Sequence, residues 1–289
     1  MNTLWQEIQN KMLRSGSKLN LLIGINISVF LLINIPGTLE TLLFNSAVIS
    51  NFSAEYLALT ASLSKLPLRF WTPLSYMFMH AGILHIIFNL LWLYWFGLIF
   101  EEYLGKKRTV GLYFIGGFAG AFIFVLCYNT LPFFTHNNAA LYSSMVGASA
   151  SVMAIMVATA TLLPDYTISL ILIGPVKLKW LILVFIIIDF LGTTGANAGG
   201  EIAHLGGGLA GFLYIKQLQK GNDWIGNIAK LFKPKPKLKI VSNNTSKRAV
   251  DLPRQEEIDL ILDKISRSGY DSLSKQEKEI LFRASNNEG

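Results

Sequence analysis

Ile202-Ala-His-Leu-Gly-Gly-Gly-Leu-Ala-Gly-Phe-Leu213 places a histidine, His204, inside an apolar, glycine-rich run. Some way upstream, Val146-Gly-Ala-Ser-Ala150 puts a serine, Ser149, at the start of another apolar run. Surrounded by lipid, a polar side chain needs a partner or a task. A hydroxyl and an imidazole on neighbouring apolar helices are the minimum parts of a nucleophile and its base.

Working outward from these runs, composition sets the class. The chain is 52% hydrophobic and 15% charged, with a mean hydropathy of +0.44, whereas soluble domains carry about a quarter charged residues. Candidate spans lie at 19–36, 83–100, 109–131, 149–163, 176–193 and 201–217, each near the roughly 17–25 residues that cross a bilayer. The expected fold is all-α: a polytopic membrane bundle of six transmembrane helices with a small cytoplasmic helical tail. The fourth span is short, so it is shielded by its neighbours or extends to Gly147. Lys11, Arg14 and Lys18 precede the first span. No small-residue cleavage site follows its apolar core promptly, so it reads as a retained anchor.

Charge sets the expected orientation. With six spans, both termini and the loops after the second and fourth spans share one side. That side holds all of the 25 Lys/Arg except Lys65 and Arg69. The excess of positive charge on cytoplasmic loops then places both termini in the cytoplasm. This asymmetry accounts for most of the basic pI of 9.4, so no nucleic-acid partner is expected. The single cysteine, Cys127, excludes a disulfide framework and a cysteine metal site. His80 and His85 lack an accompanying HExxH or CxxC, so neither a metal nor an organic cofactor is expected.

The segment 37–82 is too apolar for an ordinary loop. It reads as short helices in the interfacial zone, with Arg69, Phe70 and Trp71 as anchors. In the second span, His85 and Asn89 are four apart on one helical face. Either they make interhelical hydrogen bonds, or they aim two donors at one point, as an oxyanion hole requires.

Phe78-Met-His80, His85-x-x-x-Asn89, Gly147-x-Ser149 and Ala203-His204-x-x-Gly207-x-x-x-Gly211, in that order, resemble the rhomboid family of intramembrane serine proteases. Trp71-Thr72 and Glu101-Glu102-x-x-Gly105-x-x-Arg108 fit the same pattern, and the resemblance covers residues 60–217. It implies Ser149 as nucleophile at the outer end of the fourth span and His204 as general base on the sixth. It implies His85 and Asn89 as oxyanion-stabilising residues together with the Ser149 backbone N–H, and His80 as a structural histidine. Gly207 and Gly211 then let the sixth span approach the fourth, while Gly206 and Gly208 have no assigned role.

Two positions depart from the family pattern. Ala150 stands where GxSG has its last glycine, and Met153 stands where some rhomboids stack a tyrosine on the base. Asp189, in the fifth span, lies about ten residues from either end of its run of apolar and small residues. It reads as a helix–helix hydrogen bond or an interfacial residue, leaving a Ser–His dyad.

The expected divisions are a cytoplasmic segment 1–18, a protease domain 19–217, a basic linker 218–252 and a helical hairpin 253–289. Two prolines in Lys233-Pro-Lys-Pro-Lys-Leu-Lys239 exclude a helix interior. Ile258, Ile261, Leu262 and Ile265 have amphipathic spacing, and Ser274-Lys-Gln-Glu277 is a capping-box pattern. The tail resembles a hairpin appended to some bacterial rhomboids, which implies a bacterial inner membrane. The expected partners are the lipid bilayer and transmembrane protein substrates, cleaved near the outer face. The alternatives are an inactive rhomboid-like protein that binds membrane helices without cleavage and a transporter. No convincing internal repeat supports the transporter.

Overall fold

The structure, a computed structural model, describes residues 17–170, 173–231 and 255–285. The chain divides into two compact units, Met1–Lys233 and Pro234–Gly289. In the first, α1 (Lys18–Phe44) and α2 (Val48–Tyr56) lead to β1 (Leu59–Thr60) and the short α3 (Thr72–Ser75). Then come α4 (Ile83–Leu104), α5 (Lys106–Thr130), α6 (Pro132–Thr135), β2 (Ser144–Met145) and α7 (Ser149–Leu162). A hairpin of β3 (Thr167–Leu170) and β4 (Gly174–Lys177) precedes α8 (Leu178–Gly192), α9 (Ala198–Gln219) and α10 (Trp224–Leu231). The second unit contains α11 (Gln255–Ser268) and α12 (Lys275–Ser285).

Helices occupy all six expected span positions, with shifted limits. α1 continues beyond residue 36 to Phe44 although Pro36 lies inside it. A proline removes one i−4 hydrogen bond. The continuation brings Glu40 to the start of α2, where its carboxylate accepts from the Val48 and Ile49 N–H groups at 2.8 and 2.9 Å. Negative charge is favourable at a helix N-terminus. The fifth helix starts later than expected, because residues 174–177 pair antiparallel with 167–170 instead. Asp165 fastens the base of that hairpin by accepting from Lys177 and Lys179 at 3.0 and 2.7 Å.

The centre of the first unit is α7, in which every residue from Ala150 to Ala160 is buried. A helix so enclosed has protein rather than lipid around it, which is why 14 residues suffice. α9 crosses it closely: a Cβ at Gly207 or Gly211 would collide with the carbonyl oxygen of Ala150 or Ala154. The other two glycines also have neighbours. A Cβ at Gly206 would lie 2.9 Å from Ile123 of α5, and one at Gly208 would lie 3.1 Å from Val157 of α7. α9 thus packs against two helices at once.

The outside is apolar. Leu32, Leu42 and Leu43 on α1 and Ile188, Phe190 and Leu191 on α8 are all exposed. A belt this extensive matches a lipid surround. By length and composition, α1, α4 and α5 are long and apolar enough to cross a membrane.

Residues 37–82 do contain short helices: α2, α3 and 3₁₀ turns at Leu66–Arg69 and Tyr76–Phe78. The expected anchors also bond within the protein. Trp71 Nε1 donates to the Tyr56 carbonyl at 2.7 Å, and the Arg69 guanidinium pairs with Glu55 and lies over the Tyr56 ring.

The first residues of the expected linker at 218–252 are largely helical. α9 runs to Gln219, and α10 follows at Trp224–Leu231. Ile225 is buried, in space that a Cβ on Gly111 would claim. Asp223 accepts from Arg108 Nη2 and Nε at 2.8 and 3.1 Å. The core unit therefore continues through α10. The proline-broken basic stretch and the segment before Ser17 lie outside the described residues.

In the tail unit, Ile261 and Leu273 are buried, and Gly269 turns the chain at φ 76°. Both arms of the capping box form. Ser274 N–H donates to Glu277 Oε2 at 2.7 Å, and Glu277 N–H donates to Ser274 Oγ at 3.3 Å.

Candidate active site

Ser149 is the first residue of α7. N–H groups in a helix's first turn have no i−4 acceptor, and this end of the helix dipole is positive. The approach to the serine is strapped in place. Gly147 N–H donates to the Tyr76 carbonyl at 2.9 Å, Ala61 N–H donates to the Ser143 carbonyl at 3.0 Å, and Leu59 pairs with Met145.

Gly147 itself adopts φ 141°, which favours glycine. A Cβ there would lie 3.0 Å from His85 Nε2 and 3.3 Å from Ser149 Oγ. The imidazole nitrogen and the hydroxyl therefore converge on one point, and the first residue of the Gly-x-Ser motif leaves that space open.

His85 comes from the first turn of α4, and its Nδ1 accepts from Ala81 N–H at 3.3 Å. A neutral imidazole bonded this way carries its proton on Nε2, the nitrogen facing Gly147. One turn further, Asn89 Nδ2 donates one hydrogen to the His85 carbonyl at 2.9 Å. An amide group has a second hydrogen to offer. The His80 ring is buried edge-on against His85, with centroids 5.2 Å apart.

A cavity of about 330 Å³ brings Ser149, His204, His85 and Asn89 together, with Phe88, Trp92 and Phe185 among its walls. Among the described residues no hydrogen bond joins Ser149 to His204. Such bonds often tighten only around a bound substrate.

His204 is held from its other side. Its Nδ1 lies 3.1 Å from Asp189 Oδ1 of α8 and 3.6 Å from Glu201 Oε2, one turn back on α9. Asp189 is 6% exposed and lines the same cavity. It does make a helix–helix hydrogen bond, and the partner is the histidine of the site. The sequence carried one signal of this, an acid within a run of apolar and small residues; Glu201 carried none. Ligand-type atoms of Asp189, Glu201 and His204 lie within 4.8 Å of one another, with both carboxylates directed at the imidazole.

The two departures from the family pattern are accommodated. Ala150 is buried, and its methyl group fills space left by Gly120 of α5. Met153 is buried and borders the cavity beside His204.

These features define a helical membrane protein with a largely apolar cavity, holding a few polar side chains, at one end of its buried central helix. It belongs to the rhomboid family, since a model of the rhomboid domain matches residues 67–220, just over half of the chain. Together with the apolar helices, this makes it an integral membrane protein. Residues 248–287 match a second model, a family of unknown function (DUF6576). Comparison with curated proteins finds no match.

Proposed function

We propose that this rhomboid-family protein is an intramembrane serine endopeptidase, with Ser149 as nucleophile and His204 as general base. The observation that carries this reading is the shared cavity of Ser149, His204, His85 and Asn89, with the Ser149 hydroxyl and His85 Nε2 converging at Gly147.

In the proposed reaction, His204 takes the Ser149 proton as Oγ attacks a substrate carbonyl. The oxygen that gains negative charge accepts from the Ser149 backbone N–H, His85 Nε2–H and the Asn89 amide. His204 then protonates the leaving amine. Water entering the cavity hydrolyses the acyl-enzyme, again with His204 as base.

The bundle is proposed to cross the bilayer six times with both termini in the cytoplasm. Lys18, Lys106 and Lys107 border one groove, and Lys106 follows the end of α4 opposite to His85. Placing the lysines inside puts the site toward the outer face. At about 1.5 Å per residue α7 is about 21 Å long, against a hydrocarbon thickness of about 30 Å. Ser149 would thus be recessed beneath a water-filled mouth. Helical backbone resists attack because its carbonyls are bonded and shielded. The proposed substrate is therefore a transmembrane segment that unwinds near the outer face; the resemblance to rhomboids implies a small residue at the cut.

The test is incubation of the purified protein with a single-span membrane substrate and, separately, with a fluorophosphonate. Cleavage and labelling are both expected, and both should be lost in Ser149→Ala. A folded wild-type protein that is neither labelled nor active would instead be the inactive, helix-binding relative.

A further inference from the structure

The geometry points to Asp189 as a positioning residue that fixes the tautomer of His204 and completes a Ser149–His204–Asp189 relay; this rests on the proposed protease reading. Three observations carry it. Asp189 Oδ1 is 3.1 Å from Nδ1 of His204. The carboxylate is almost fully buried in the last turn of a helix whose residues 180–188 are all apolar. It also borders the same cavity as Ser149.

An ionised carboxylate only accepts hydrogen bonds, so its contact with Nδ1 requires the proton there. Nε2 is then left with its lone pair, as a base for the Ser149 hydroxyl needs. When Nε2 takes that proton the ring becomes imidazolium, and the adjacent carboxylate stabilises the new charge. The proton moves from Oγ to Nε2 while the Nδ1 proton stays in place. Two neutral groups would fix the ring less firmly and offer no such compensation.

Glu201 is a weaker candidate for the same task. It is farther from Nδ1, at 3.6 Å, and its Oε1 accepts from Asn197 Nδ2 at 3.1 Å. The titratable and charged groups around His204 are Asp189 from α8, Glu201 on its own helix and His85 from α4. α7 contributes only uncharged residues to this cavity: Ser149, Val152, Met153 and Met156.

The experiment compares wild type, Asp189→Asn and Glu201→Gln as full chains, measuring kcat, KM and the pH profile on the single-span substrate. The ¹⁵N resonances of the His204 ring are recorded in parallel. Asp189→Asn should lower kcat about 10²–10⁴-fold with KM little changed. The acid limb of its kcat/KM profile should move to lower pH, because the imidazolium has lost its carboxylate. Glu201→Gln should lower kcat less. The wild-type ring should show a protonated Nδ1 and a bare Nε2, and Asp189→Asn should lose that preference.

If Asp189→Asn does not fold, Asp189→Ser takes its place, since a small hydroxyl fits the same site. A folded variant with unchanged kcat, acid limb and ring tautomer overturns the proposal. A wild-type protein with the stated tautomer but no cleavage or serine labelling overturns the protease reading and leaves the Asp189–His204 contact standing.

Discussion

The methyl group of Ala150 lies where Gly120 has no side chain: a Cβ on Gly120 would sit 2.6 Å from Ala150 Cβ. Alanine after the proposed nucleophile is thus matched by a glycine on α5, and the α5–α7 crossing remains close. Gly120→Ala should be destabilising by about 1–3 kcal/mol, as overpacking generally is. Adding Ala150→Gly should recover part of that loss. Recovery stays partial because the new Cβ also meets the Ala203 carbonyl, at 2.8 Å. Thermal midpoints of the two single variants and the double variant read the coupling directly.

Asn89→Ala separates an oxyanion donor from a structural amide. The oxyanion reading expects turnover to fall about 10²–10³-fold, or roughly 2.7–4 kcal/mol, with little change in melting temperature. Loss of only the Asn89 bond to the His85 carbonyl predicts the opposite pattern, lower stability with near-normal turnover. Both quantities are measured on one purified preparation.

Truncation after residue 233 should leave peptidase activity in detergent largely intact, because all of the proposed chemistry lies in the first unit. A cut before Asp223 should behave differently, since it removes the Arg108 ion pair and Ile225. Ile225→Ala alone should cost about 2–5 kcal/mol, the usual range for emptying a buried isoleucine site. Melting curves of the two truncations and the point variant provide the check.

The tail unit has its own pH response. Hydrogen bonds from Lys264 and from the Ser274 N–H hold the Glu277 carboxyl down, from 4.5 to about 2. A depressed acid favours the folded form above its unfolded pKa, and that contribution disappears as pH falls through the folded value. Protection of the Ser274 amide, its exchange rate relative to the intrinsic rate at each pH, should therefore hold down to pH near 4.5 and be lost as pH approaches about 2. In Glu277→Gln this pH-dependent loss of protection should be absent.

Much of this protein is written locally in its sequence. Apolar runs of spanning length, the Gly-x-Ser and His-x-x-x-Asn spacings and the reciprocal Ser274–Glu277 cap depend on residues a few positions apart. Hydropathy and helical periodicity report such relations directly. Only the tertiary structure decided which polar groups meet. Asp189 and His204 lie on different helices, and their contact depends on how α8 and α9 cross. The same holds for Gly120, whose role is visible only with Ala150 packed against it, and for His85, whose orientation relative to Ser149 is set by the strapped turn at Gly147. Packing α10 onto α5 carried the core unit past the expected boundary for the same reason. A sequence fixes side-chain spacing along each helix, while distances between helices follow from how closely their surfaces pack.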